Sequence, residues 1–264
     1  MNRNFDLSTI ISYLYIIFVS ILIFIPFMVS FWRSLWTPDG QIGLSNYFSM
    51  AGVFWPRVWL SLQLSLITVV LDLLIAIPAA YALTRYEFKG KRPILLTLIG
   101  VWYVPGIAYA LSLILSFYLI YKQCLSILGF IVTYTTGFLP MMLLSSIVAF
   151  RRLEISYEEA AACLGATGLK RFIYIVLPLI GPGITSGILL TFVLSFNEFI
   201  TAFLLAGPTG ILTAPVKVFD DISHAGMLGF VAAEASILQI ISLTVIFVYL
   251  KIVGTRYLKG TVFF

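Results

Sequence analysis

The stretch from Glu159 to Pro178 reads EAAACLGATGLKRFIYIVLP, a small, polar and basic island between long apolar segments. The glutamate and two alanines that open it are followed at fixed spacing by Gly165 and by Ile175-Val-Leu-Pro178. Alanines are strong helix formers, and glycine allows a bend or a close approach of another backbone. The island therefore predicts a short helix, a bend and a second helix. It is one of the few parts of the chain that can meet a water-soluble partner.

The composition outside the island places the chain in a bilayer. Of the 264 residues, 61% are hydrophobic and 10% are charged, whereas a soluble domain carries about 25% charged residues. Six continuous apolar stretches reach the ~20 residues that a membrane-crossing helix needs, which favours helices over the short alternating strands of a β-barrel. We expect an all-α membrane protein that forms a single transmembrane domain over residues 1–264. The six stretches are Ile10–Phe31, Val58–Leu83, Ile94–Ile120, Leu125–Val148, Ile180–Leu205 and Gly229–Val253.

Several of these stretches contain prolines or pairs of small residues, which alter helix packing. The third contains Pro105-Gly106, and prolines kink membrane helices. The fifth contains Gly183 and Gly187, four residues apart. Small residues at this spacing allow two helices to approach closely, so we expect a tight helix contact there.

The positions of lysine and arginine predict the orientation, because cytoplasmic loops carry an excess of both. With both termini in the cytoplasm, twelve of the sixteen lie on that side. Topology then explains the net charge of +5, and no nucleic-acid binding is expected. The predicted location is the plasma (inner) membrane, crossed several times. The island lies in the longest cytoplasmic connection, about residues 150–177, and Cys124 and Cys163 fall on opposite sides of the membrane.

The island resembles the EAA signature of permease subunits of binding-protein-dependent ABC importers. Glu159-Ala-Ala, Gly165, Ile175 and Leu177-Pro178 occupy the positions of that motif. The resemblance implies the type I importer fold, with six transmembrane helices and a cytoplasmic coupling helix between helices 4 and 5. It also implies that this loop docks onto an ATPase. The expected contact residues are Glu158, Glu159, Ala160, Ala161, Gly165 and Ala166.

The same resemblance implies the partners. They are two ABC ATPase subunits, a second homologous permease subunit and an external solute-binding protein. The chain contains no G-x-x-x-x-G-K-[ST] pattern, so we expect ATP and Mg²⁺ to bind the ATPase partner and no cofactor to bind here. No catalytic residue or metal ligand set stands out, and the expected role is that of a transport subunit, not an enzyme.

Ionisable side chains within membrane spans are costly and are candidate functional residues. The candidates for the solute pathway are Asp72, Asn197, Glu198 and Glu234. Hydrogen bonding between helices is the alternative role for each of them. Acidic side chains in the membrane suit a cationic solute.

The solute class is predicted only in part. The segment around Asn197-Glu198, and Leu164-Gly165-Ala166 in the island, resemble the polyamine-type branch of the family, which we favour. The stretches TRYEFKGKR (84–92) and RYLKG (256–260) are similar to carbohydrate-type permeases, which remain the alternative. A stand-alone channel or secondary transporter is the alternative of another class. An intramembrane enzyme would need a convergent catalytic set that the sequence lacks.

Overall fold

A computed structural model describes residues 7–37, 39–121, 126–226 and 228–251. Over these ranges the chain is almost wholly helical, and the only pairing of extended residues is an isolated bridge between Trp36 and Ile42. The predicted all-α fold class is confirmed. The α-helices of the described residues are α1 (Leu7–Ser34), α2 (Ser45–Ser49), α3 (Ala51–Arg85), α4 (Lys91–Gly100), α5 (Gly106–Ser116), α6 (Ile127–Arg152), α7 (Ile155–Cys163), α8 (Gly168–Arg171), α9 (Leu177–Phe196), α10 (Ile200–Thr209), α11 (Ala214–Ala225) and α12 (Gly229–Tyr249).

Five helical segments among the described residues are long and apolar enough to cross a membrane. Two further helix pairs pass the same test but are sharply bent, which gives up to seven spans if each pair counts as one. The predicted number of six lies between these values. The five segments are Ile11–Ser34, Ala51–Arg85, Ile127–Arg152, Gly168–Phe196 and Gly229–Tyr249.

The third predicted span, Ile94–Ile120, is broken into two helices that meet at 108°. The break lies at Val104-Pro105, where Val104 is extended with ψ of 130° and Pro105 precedes the first turn of α5. A residue before proline is driven out of the helical region, and proline cannot donate the hydrogen bond that would continue the helix. The predicted interruption is therefore a complete break.

The fifth predicted span, Ile180–Leu205, is wrong at both ends. The helical segment begins at Gly168 and runs through a π-helical turn at Phe172–Val176 into α9, which ends at Phe196. A second helix, α10, starts at Ile200 and is followed at 79° by α11. The region 207–228, which lies between the fifth and sixth predicted spans, is thus largely helical.

The chain divides into two compact units. The smaller unit comprises Met1–Pro56 and Lys217–Ile241, and the larger unit comprises Arg57–Val216 and Ser242–Phe264. The larger unit contains the island together with Asp72, Asn197 and Glu198, and the smaller unit contains Glu234. The termini and Cys124 lie outside the described residues, so their predicted sides of the membrane stay predictions, as does the single permease domain.

The core of the larger unit contains a close contact between α6 and α9. A Cβ atom added to Gly183 would overlap Ala149 of α6. One added to Gly187 would lie 3.0 Å from Met142 Sδ and from Ser145 Cβ. Glycine at both positions lets the two backbones approach, as their spacing predicts.

Candidate functional site

The island forms a helix, a bend and a second helix, and Gly165 makes the bend. Gly165 has φ of +81°, its amide donates to the Ala162 carbonyl at 2.9 Å, and the Ala166 amide donates to the Ala161 carbonyl at 3.0 Å. These two bonds are a Schellman motif, which ends a helix with a residue in the left-handed region. Glycine adopts that conformation without strain, so the sequence sets the end of α7.

The predicted contact residues divide between two faces of α7. Glu159 and Ala160 are exposed, together with Gly165 and Leu164, which is 89% exposed; we call these four residues the outer face. Ala166 is half-buried. Glu158 and Ala161 are buried against the chain's own helices. Their expected contact with a partner stays a prediction, and it concerns two residues that are only 6% and 8% exposed in this chain.

Glu158 joins α7 to neighbouring helices through a buried ion pair. Its Oε1 atom accepts from Arg85 Nε at 2.7 Å, and its Oε2 atom accepts from the Tyr81 hydroxyl at 3.2 Å. Arg171 Nε lies 3.9 Å from Oε2. A second guanidinium nitrogen of Arg85, Nη2, donates to the Leu153 carbonyl at 3.0 Å. Because the Arg85 and Glu158 side chains are only 11% and 8% exposed, removing one partner would cost ~3–5 kcal/mol.

Aromatic side chains surround the same point. The Tyr81 ring packs edge-on against Phe150 of α6 at a centroid distance of 5.5 Å and against Phe172 of the π-helical turn at 5.7 Å. Such tilted pairs each add about 0.5–1.5 kcal/mol beyond the area that they bury. The end of α3, the end of α6 and the start of the α8–α9 segment therefore converge on Glu158.

Asp72 lies on a buried polar face of α3. Ser65 and Thr68 precede it on that face, and their hydroxyls donate to carbonyls of their own helix at 2.8 Å. Asp72 is fully buried, and neither of its carboxyl oxygens has a hydrogen-bond partner. An ionised carboxylate, unlike a hydroxyl, has no proton to donate to a helix carbonyl, so Asp72 could make such a bond only when it is protonated.

Asn197 and Glu198 form the break between α9 and α10. Asn197 Nδ2 donates to the Val193 carbonyl at 2.8 Å and to the Ser242 hydroxyl of α12 at 3.1 Å. Glu198 Oε1 accepts from the amide and the hydroxyl of Thr201 at 2.8 and 2.9 Å. The two side chains thus bond to the backbone at the end of one helix and the start of the next. A carboxylate at a helix N-terminus is also favoured by the helix dipole.

Glu198 lines a cavity of about 300 Å³ in the larger unit. Tyr109, Thr133 and Gly137 also line it, and the Tyr109 hydroxyl donates to the Thr133 carbonyl at 2.9 Å and bonds with the Thr136 hydroxyl. Residues at the α4–α5 break and at the α9–α10 break contribute to the lining. Discontinuous helices line the sites of secondary transporters in the same way. The sequence prediction did not include Tyr109 and Thr133 among the pathway candidates. The signal that could have indicated them is a hydroxyl group within an apolar stretch.

Glu234 belongs to a different cluster, in the smaller unit. It is 2% exposed, its Oε2 atom has no partner, and its carboxyl group lies beside that of Asp221. Asp221 Oδ1 is 2.5 Å from Lys217 Nζ. The four predicted pathway residues are thus found at three places: the buried face of α3, the α9–α10 break and the start of α12.

Comparison with curated proteins identifies transport permeases as relatives. No protein-family model matches the chain. It is 35% identical over 153 residues to the putrescine transport system permease protein PotI of Escherichia coli, a match that covers about half of each chain (54% and 53%). It is 29% identical to the spermidine/putrescine permease PotC of Escherichia coli over 70% of this chain and 69% of that one. The trehalose permease SugB of Mycobacterium tuberculosis is 27% identical over 76% and 74%.

Solved structures with the same fold belong to ABC transporters. A chain of a bacterial ABC transporter involved in importing the acidic polysaccharide alginate superposes with a TM-score of 0.67 and 17% identity, covering 97% of this chain and 98% of that one. A chain of the MetNI methionine ABC transporter gives a TM-score of 0.64 and 16% identity, covering 78% and 97%. Together with the apolar helices, these likenesses identify a multi-pass membrane protein. The chain is a homologue of the permease subunits of ABC importers and has their fold.

Proposed function

We propose that this permease subunit opens a solute pathway by alternating access and is driven by an ATPase that docks on the outer face of α7. All four residues of the outer face are exposed, which supports docking. The small side chains beside exposed Leu164 allow this end of α7 to enter a groove on the surface of the ATPase. Glu159 adds a charge that can pair with a cationic side chain of the partner. A second permease subunit, a second ATPase and an external solute-binding protein complete the proposed importer. ATP and Mg²⁺ bind the ATPase subunits.

We further propose that the solute is a small organic cation of the polyamine type. The observation that carries this proposal is Asp72, a fully buried carboxyl group with neither oxygen hydrogen-bonded. A charged group at the centre of a membrane helix costs ~2.5–3.5 kcal/mol unless it has a partner. An ammonium group that enters and leaves would supply that partner transiently. Glu198, on the wall of a cavity, places a second carboxylate where a diamine can reach it.

The relatives support two solute classes. PotI and PotC are named as putrescine or spermidine permeases. SugB, like the arabinooligosaccharide permease AraQ of Halalkalibacterium halodurans, is named as a sugar permease, and its match covers more of this chain than that of PotI. A neutral oligosaccharide is therefore the second candidate. Its hydroxyls can donate hydrogen bonds to a carboxylate but cannot neutralise its charge, and this difference separates the two.

Replacing Asp72 by asparagine tests the cation proposal. We expect the complete importer, with its solute-binding protein, to take up labelled putrescine in an ATP-dependent manner, and Asp72→Asn to lower that uptake about 10-fold or more, because a contact between a charged solute and a charged side chain contributes ~1.5–3 kcal/mol. Asp39→Asn, which removes an exposed carboxylate from a turn, should leave uptake unchanged.

Three outcomes would contradict this account of the solute pathway. ATP-dependent uptake of trehalose in place of putrescine would favour the sugar alternative. Wild-type uptake of putrescine by Asp72→Asn would return Asp72 to a packing role. Uptake without ATP by vesicles that contain only this chain would favour a stand-alone channel or secondary transporter.

A further inference from the structure

The buried pair of Glu158 and Arg85 connects the proposed docking helix to a span that is distant from it in sequence. We propose that this pair is the joint through which a movement of α7 is passed into α3, so that one docked ATPase moves two spans and not only the one that follows the island. Glu158 and Arg85 are positioning residues in this scheme and touch neither ATP nor solute. The proposal rests on the proposed docking at α7 and deepens it.

The geometry of Arg85 supports a joint that resists bending. Its Nε atom binds Glu158 in α7 at 2.7 Å, and its Nη2 atom binds the carbonyl of Leu153, the C-cap residue that follows α6, at 3.0 Å. The planar guanidinium holds both donors in one rigid plane. Arg85 is also the last residue of α3. The end of α3 is therefore fixed to both sides of the α6–α7 turn, and α7 cannot rotate about that turn alone.

A second set of contacts prevents α7 from moving against α8. Arg171 of α8 approaches the Oε2 atom of Glu158 at 3.9 Å across the bend at Gly165. Tyr81 donates to the same oxygen, and its ring packs against Phe172 just beyond α8. One carboxylate thus binds α3 and α8 together. A displacement applied at the outer face reaches α3 through side chains and α9 through the chain itself.

Both routes end at candidate pathway residues. Along α3, Asp72 lies about 20 Å from Arg85, given a rise of 1.5 Å per residue. Along α9, the helix ends at Phe196, directly before Asn197 and Glu198. A movement of α7 that reached only α9 would displace Glu198 and leave Asp72 in place. The joint lets both carboxyl groups respond to the same event.

The test is the number of ATP molecules hydrolysed per solute transported. The complete importer is reconstituted in proteoliposomes, and ATP hydrolysis and uptake are measured on one preparation with putrescine or trehalose, whichever the wild type carries. We expect Glu158→Ala and Arg85→Ala to retain ATP hydrolysis within about twofold and to need about 10-fold more ATP per solute. Since both remove the same pair, the double variant should be no worse than either single variant.

Two further variants guard against misfolding and against a general charge effect. Glu158→Gln keeps one oxygen acceptor for Arg85, places an amide NH2 group from which the Tyr81 hydroxyl can accept, and removes the charge. It should therefore fold even where Glu158→Ala does not, and should raise ATP per solute about threefold. Glu87→Gln breaks an ion pair with Lys91 at 2.6 Å, in which the Glu87 side chain is 90% exposed. It should leave the ratio at the wild-type value.

Two outcomes would overturn the proposed joint. One is that the number of ATP molecules hydrolysed per solute transported stays at the wild-type value in both Glu158→Gln and Arg85→Ala. A parallel fall of hydrolysis and uptake at constant ratio is another, because it would make the pair a static brace. These results differ from a failure of the proposed docking, in which the wild-type ATPase would not co-purify with the permease at all.

Discussion

Replacing Gly165 by leucine should lower ATP-driven uptake about 30-fold or more, the change that corresponds to ~2 kcal/mol of lost docking energy at a central contact. Gly165 has φ of +81°, and, its two chain neighbours aside, no atom of the described residues lies within 4 Å of the position of an added Cβ. A leucine side chain would therefore project from the outer face of α7 into the space that the ATPase is proposed to fill. The left-handed backbone adds ~1–2 kcal/mol of strain. The measurement is co-purification of the ATPase subunit together with uptake.

The control for Gly165→Leu must carry the same backbone strain at another place. Gly210 ends α10 with φ of +68° and also has no atom within 4 Å of an added Cβ. Gly210→Leu should reach the membrane and retain the ATPase. Normal co-purification and uptake by Gly165→Leu would show that the outer face is not the docking surface. Equal loss of the ATPase in both variants would assign the effect to strain.

Replacing Gly183 by leucine should lower the amount of folded protein in the membrane about 10-fold, because overpacking a core costs ~1–3 kcal/mol of a small total stability. An added Cβ at Gly183 would overlap the Cβ atom of Ala149 on the facing helix. Backbone atoms of Ala149 lie close behind it, at 3.1 Å, so the neighbour cannot rotate away. The protein is quantified in isolated membranes after mild detergent extraction and size-exclusion chromatography.

Gly181 supplies the matched control, on the same helix two residues away. Apart from its own stretch of helix, no atom of the described residues lies within 4 Å of a Cβ added there. Gly181→Leu therefore changes helix propensity and apolar volume in the same way as Gly183→Leu without creating an overlap, and should accumulate like the wild type. Equal accumulation of the two leucine variants would contradict the close contact between α6 and α9.

The long apolar helices and the position of the island could be predicted from sequence because both depend on local signals. Continuous apolar runs indicate helices that must satisfy their own backbone in lipid. The bend follows from the glycine at position 165, because glycine adopts φ of +81° without strain. Pro105 likewise indicated an interruption, although not a break of 108°.

The break between α9 and α10 could not be predicted in this way. The apolar run continues through it with neither glycine nor proline between Phe196 and Ile200. The helix ends there because Asn197 and Glu198 bond to backbone groups on the two sides of the break. In the sequence, these side chains only marked two polar positions within a span.

The roles of adjacent glutamates also depend on tertiary structure. Glu158 and Glu159 are both expected to contact the ATPase, but consecutive helix residues point about 100° apart. Arg85, which is distant in sequence, determines that Glu158 is the inward one. The same holds for Tyr109 and Thr133, which line the cavity of Glu198 only because a broken helix pair folds beside α6.

Cross-linking from Cys163 tests the central claim most directly, namely that α7 lies in the cytoplasm and contacts an ATPase. Cys163 is exposed at the end of α7, and the chain has only one other cysteine, Cys124. In a Cys124→Ser variant, a bifunctional maleimide should join Cys163 to the ATPase subunit, and a membrane-impermeant maleimide should modify it only in inside-out vesicles. Modification of Cys163 from outside intact cells, or cross-linked products without the ATPase, would contradict the claim.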